Sequence, residues 1–156
     1  MFIVGAEIRL EISSNTDVYY LSNYYNSSIL ANNSIIFNVR GQHDATISRL
    51  SHKKTFKPPY YKIIIGGWYN RKSVILKVNN LVRAHDAPQV NEAYFTSFWV
   101  SWQNGLVHTG RGSVIDTDIF LSFKDECMFA VYDIGITGIN EKVTWLFNMM
   151  SCEYLI

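Results

Sequence analysis

The chain is predicted to fold as an all-β protein, a two-sheet antiparallel β-sandwich, and three observations carry that expectation. Apolar and polar residues alternate with period two in segment after segment, beginning at Glu7-Ile8-Arg9-Leu10-Glu11-Ile12. Turn-forming residues punctuate these segments at short, regular intervals. No stretch shows the 3.6-residue apolar spacing of an amphipathic helix.

Taken in order, residues 7–13 form the first strand, with Ile8, Leu10 and Ile12 on one face and Glu7, Arg9 and Glu11 on the other. A polar break over 13–17 leads to Val18-Tyr19-Tyr20-Leu21, and an Asn/Ser-rich loop follows over 22–34. Strands are expected at 35–41 and 44–50, and after Pro58-Pro59 at 60–66 and 72–78. A loop containing Pro88 precedes the aromatic strand 93–102. Asn104-Gly105 is the strongest local signal, because the two-residue type I′ turn needs positive φ at both central positions. It joins 94–103 to 106–110 as a hairpin. Strands at 118–123, 127–136 and 143–150 complete a set of about ten. No repeat or linker divides the chain, so residues 1–156 read as a single domain.

Composition narrows the function classes. With 14 basic and 13 acidic residues the net charge is +1, which gives no electrostatic footprint for nucleic acid or an anionic membrane. The cluster Arg49, His52, Lys53, Lys54 and Lys57 reads as a solvated loop. No apolar run reaches the roughly 20 residues of a membrane-spanning helix. Met1–Ala6 lacks the basic flank of a secretory signal, so a cytoplasmic location is favoured, with an extracellular one expected if the chain is a fragment. Sequons at Asn26 and Asn32 occur about as often as composition gives by chance.

Catalytic patterns are sparse. Gly66-Gly67 follows a strand, but the residues after it are aromatic and β-branched, with no helix start to face a phosphate. The pair is expected to make a bulge at a strand end, with Trp68 filling the space and Tyr69–Arg71 turning the chain. His43, His52, His85 and His108 have no metal-ligand spacing, and no metal site is expected. His43-Asp44 and His85-Asp86 are neighbours that a strand would send to opposite faces. If 127–136 and 143–150 form a hairpin centred between Ile139 and Asn140, Cys127 and Cys152 are opposed and within disulfide range; two free thiols are the alternative.

The Asn104-Gly105 hairpin opposes residues whose numbers sum to 209, which places Phe98, Val100, Trp102 and Val107 on the core face. The opposite face carries Ser97, Trp99, Ser101, Gln103 and His108. An indole among hydroxyl, amide and imidazole groups suits a sugar, whose C–H face stacks on the ring. Trp68, Asn70 and Arg111 extend this candidate site if their loops lie at the same end. The alternative is that Trp99 lies under a loop as part of a second core.

The motifs together resemble the farnesoic acid O-methyltransferase domain family from about Ile35 to Asn148. The likeness rests on Phe37, Val39, Arg40, Asp44 and Ala45; on Ile65–Trp68, Asn70, Lys72, Ser73 and Ile75; on Phe98, Trp99, Ser101, Trp102, Gly110 and Gly112; and on Trp145 and Phe147. The family pattern differs at Lys62, usually acidic, at Leu76, usually Arg, and at Gly41, usually Ala. The resemblance implies a jelly-roll or lectin-like sandwich that occurs as a module beside other binding modules. It therefore implies recognition of a small molecule, a glycan or another protein domain, without catalysis or cofactor. The family name implies the alternative, an O-methyltransferase that uses S-adenosylmethionine on farnesoic acid or a similar isoprenoid acid.

Overall fold

The computed structural model describes residues 2–24 and 33–153, and the side chains over 7–24 and 33–148. The sequons at Asn26 and Asn32 lie outside the described residues. Twelve strands are present among them: β1 (Phe2–Ile12), β2 (Val18–Tyr20), β3 (Ser34–Gly41), β4 (Ala45–Leu50), β5 (Tyr60–Gly66), β6 (Lys72–Lys77), β7 (Asn80–His85), β8 (Thr96–Gln103), β9 (Leu106–Arg111), β10 (Ile119–Lys124), β11 (Asp133–Thr137) and β12 (Val143–Glu153). They form two antiparallel six-stranded sheets, ordered β1-β12-β3-β8-β9-β10 and β2-β11-β4-β5-β6-β7. The predicted sandwich is the observed one.

Period-two alternation places the core. On β3, Ile35, Phe37 and Val39 are buried while Ile36 is exposed between them. Phe37 packs on Phe98, Trp145 and Phe147 with ring centroids 6.2, 5.1 and 6.0 Å away, which makes an aromatic layer on one sheet. Ile47, Tyr61, Ile63, Ile65, Ile75 and Ile134 supply the other wall. Each such side chain contributes about 1.5–3 kcal/mol on burial. The sandwich is closed along the β7 and β10 edges by His85 against Phe120, 5.7 Å apart, and Arg83 over Phe123 at 5.3 Å.

The hairpin register is as expected: Ser101 opposes His108 and Trp102 opposes Val107. Asn104 and Gly105 have φ of 54° and 80°, the left-handed pair that a type I′ turn requires.

Three expectations need correction. Strand β7 falls in the segment read as a loop; as a mostly exposed edge strand it lacks the buried alternation that reveals a strand. The final hairpin does not exist. β11 pairs with β2 and β4 in one sheet, β12 with β1 and β3 in the other, so residues 138–142 cross between sheets. Cys152 therefore stands opposite Ile3, and Cys127 is an exposed free thiol on the 125–132 loop. Finally, Arg49 does not belong with the solvated basic loop. It faces inward from β4, 1% exposed, with its guanidinium against Trp102, Tyr61 and Phe129.

The outer face of β8 is covered too, which explains why nearly every residue of that strand is buried. Trp99 is 0% exposed and donates its indole N–H to the Thr117 carbonyl at 3.0 Å. The ring lies against the backbone of Gly110, where a Cβ would fall 2.4 Å from its Cζ2. Gly110→Ala is expected to lower stability in urea unfolding by about 2–3 kcal/mol, since neither the indole nor the strand backbone has room to move. An unchanged midpoint would show that the ring is loosely held.

Candidate functional site

Residues 42–44, 67–71, 86–95 and 138–142 gather at one end of the sandwich, because each joins strand ends there. Their organising feature is a left-handed turn at Gly67–Asn70. Gly66 enters it at φ 69°, and Trp68, Tyr69 and Asn70 follow at 50°, 57° and 63°. Left-handed backbone is uncommon for bulky L-residues and costs on the order of 1–3 kcal/mol per residue.

Asn70 holds the turn in place. Its Oδ1 accepts the backbone N–H groups of Gln89 and Val90 at 2.9 and 3.1 Å, and its Nδ2 donates to the Val90 carbonyl at 2.8 Å. Arg71 closes the turn by donating its N–H to the Gly67 carbonyl, and Ser73 Oγ accepts from Gly66 N. From the other sheet, Arg111 donates to the Gln89 carbonyl at 3.0 Å and to Gln89 Oε1 at 2.8 Å. Asn70 and Arg111 thus meet on the same segment, as required for their loops to share one end.

The turn presents its aromatic side chains to solvent. Tyr69 is 78% exposed and Trp68 49% exposed. Trp68 therefore does not fill the space beside the glycines; its ring instead carries Lys72 Nζ at 4.1 Å from the centroid. Tyr69 leans on His43 with centroids 5.2 Å apart.

His43 and Asp44 form a pair that strand geometry excluded. Asp44 is left-handed (φ 60°), and its N–H donates to the Gly66 carbonyl, so its carboxylate turns back to His43 Nδ1 at 2.6 Å. A continuous strand sends neighbours to opposite faces; a left-handed residue breaks that rule.

Around these groups lie adjoining clefts. One, of about 410 Å3, is lined by His43, Asp44, Trp68, Tyr69, Asn140 and Glu141. A second, of about 670 Å3, shares His43, Tyr69 and Glu141 and adds Gln42, Asn91 and Glu92. A third, of about 250 Å3, continues past Gln42 to Arg40 and Lys142. Gln42 Nε2 donates to Glu92 Oε2 at 2.9 Å across the shared wall. The result is an open aromatic rim over carboxylates, amides and an imidazole. Among the described residues no group of three or more His, Cys, Asp or Glu could hold a metal ion.

The sequence-derived candidates divide. Trp68, Asn70 and Arg111 belong to this end, Trp68 on the rim and the other two as supports. Trp99 and Ser101 are buried and His108 lies beside Asp116, 3.8 Å away, so the outer face of the hairpin presents no open indole. Residues 112–118 cover it. Tyr69, His43, Gln42 and Glu141 were missed; the succession of left-handed residues that assembles them leaves no sequence signature besides the glycine pair.

A Cβ on Gly66 would meet Asn70 Oδ1 at 2.7 Å and Val90 Cγ2 at 2.9 Å, so close approach of the carboxamide and Val90 requires glycine at this position. After the single left-handed turn at Gly67–Asn70 the chain passes into β6. The departures at Lys62 and Leu76 are also explained: they are cross-strand partners on β5 and β6, where the family's acid and Arg would pair with each other. Here Lys62 lies over the Phe56 ring at 5.6 Å instead.

The fold and cleft define a jelly-roll-like β-sandwich with a loop-built site at one end. A family model described as farnesoic acid O-methyl transferase matches residues 14–150, and the chain belongs to that family. No curated protein matches the chain by sequence. Among solved structures, the carbohydrate binding module CBM66 from Bacillus subtilis is similar at 10% identity and TM-score 0.56, over 76% of this chain and 74% of that one. The exoplasmic/lumenal domain of VIP36, in its Ca2+/Man3GlcNAc-bound form, aligns at 10% identity and TM-score 0.49, over 78% and 69% of the two chains. The likeness to the carbohydrate binding module is one of fold alone. No helix among the described residues is long and apolar enough to cross a membrane.

Asn70→Ala is expected to lower stability in urea unfolding by about 2–3 kcal/mol, because two backbone N–H groups lose their acceptor and the strained turn loses its anchor. Tyr69→Ala should stay within about 0.5 kcal/mol of the parent, its ring being exposed. Equal effects of the two would contradict the division between support and rim.

Proposed function

We propose that the chain is a non-catalytic carbohydrate-binding module that holds a glycan at the loop end of the sandwich. The observation that carries this reading is the turn at Trp68 and Tyr69, two aromatic side chains kept in strained backbone and directed to solvent beside hydrogen-bonding groups. Strain of this kind persists where the surroundings over-determine it, and it concentrates at ligand sites. A pyranose presents an apolar C–H face and a ring of hydroxyls. Tyr69 and the free side of Trp68 receive the first; Gln42, Asp44, Asn140 and Glu141 hydrogen-bond the second. Similarity of fold to a carbohydrate-binding module supports the reading. The cleft is open and shallow, which suits one or two residues of a longer chain better than an enclosed isoprenoid. On this reading the protein takes no S-adenosylmethionine.

The test is a glycan screen by tryptophan fluorescence and calorimetry on the parent, Trp68→Ala and Tyr69→Ala. Binding is expected in the parent and at least about tenfold weaker in each variant, the loss of one stacking contact being worth about 1.4 kcal/mol or more. Binding unchanged in both variants would remove the site from this end. A melting-temperature rise with S-adenosylmethionine, with no response to any glycan, would transfer the reading to the methyltransferase the family name describes.

A further inference from the structure

Arg49 is buried, and its guanidinium has no hydrogen-bond partner among the described residues. It lies on the inner face of β4, opposite Tyr61 on β5 and Ile134 on β11. Its guanidinium carbon is 5.1 Å from the Trp102 ring centroid, 5.3 Å from Tyr61 and 5.9 Å from Phe129. Nε, Nη1 and Nη2 are all buried, and none has an acceptor among the described residues. Burial pushes the group down to about 9, partly offset by Asp125, so it carries its charge at neutral pH.

Asp125 is the nearby counter-charge, and it is committed elsewhere. Its Oδ2 accepts from the Tyr61 hydroxyl and from Lys77 Nζ, the latter at 2.6 Å, and its Oδ1 accepts from the Cys127 N–H at 2.8 Å. Two cations thus share one carboxylate, which leaves one positive charge uncompensated between aromatic walls. Lone buried charges are strongly unfavourable, whereas paired and hydrogen-bonded ones are tolerated. Aromatic rings satisfy the faces of a guanidinium; its N–H groups project in the plane and match a planar carboxylate in a bidentate pair.

We propose that Arg49 is the receptor for a small monovalent anion, of the size of chloride or formate, held between the sheets under residues 125–132. The half-buried Phe129 covers the site, and the partly exposed Lys77 marks its boundary with solvent. Asp125 N donates to the Gly105 carbonyl, which fixes this loop at the end of the strands opposite the aromatic cleft. The anion site is therefore independent of the glycan site.

The test uses the full chain in thermal melts with sodium formate or sodium chloride, for the parent and for Arg49→Met, which keeps side-chain length and removes the charge. Comparison of the two proteins in the same salt cancels general salt effects. The parent midpoint is expected to rise by about 3–6 °C at tenfold excess over Kd, with saturation, and that of Arg49→Met not at all. A parallel rise in both, or none in either, overturns the site. Should Arg49→Met fail to fold, chloride-35 NMR on the parent decides. Line broadening that formate displaces supports the anion; broadening absent, or insensitive to formate, means the guanidinium rests on the rings alone.

Discussion

The loop end of this protein depends on one carboxamide. Asn70 satisfies both backbone N–H groups of Gln89 and Val90 and donates to the Val90 carbonyl, joining the left-handed turn to the segment that leads into β8. Without that clamp, three non-glycine residues at positive φ would have an extended alternative at lower cost. The requirement reaches backwards to Gly66, where a side chain would collide with the carboxamide itself. It reaches forwards to Arg111, which grips the same segment from the other sheet. The double glycine serves this turn.

Burial decides which aromatic residues can meet a ligand. Trp99 and Trp68 look equivalent as indoles among polar neighbours, yet one is enclosed by residues 112–118 and the other stands at a rim. The space between the sheets is covered, as are the outer faces of β8 and β4, and the loop end remains open. A buried Arg49 at the opposite end shows the same core under a different constraint, with rings supplying the faces of a cation whose edges lack acceptors.

Much of the fold was legible in the residues. Alternation on β3, the Asn104-Gly105 turn and the register that follows from it are local consequences of chain geometry, and local geometry is what a sequence pattern encodes. The pairing of β12 was not legible. A short connection between two apolar strands suits a hairpin as well as a crossing between sheets, and only the packing of β1 and β3 against β12 selects the latter. Arg49 was misplaced because a charged residue at a strand end resembles the loop beyond it. The candidate site was half legible. Trp68, Asn70 and Arg111 belong together, while His43 and Asp44 meet through a left-handed aspartate, a conformation that no spacing rule reports.

As proposed, the clamped turn presents a preorganised aromatic rim to a glycan. Backbone amide shifts followed by heteronuclear NMR, during titration with an oligosaccharide that binds, test it most directly. Changes confined to residues 42–44, 67–71, 89–93 and 139–141 are the predicted result. Changes centred on the outer face of β8 and β9 near Trp99 and His108, or on residues 125–132, would contradict it.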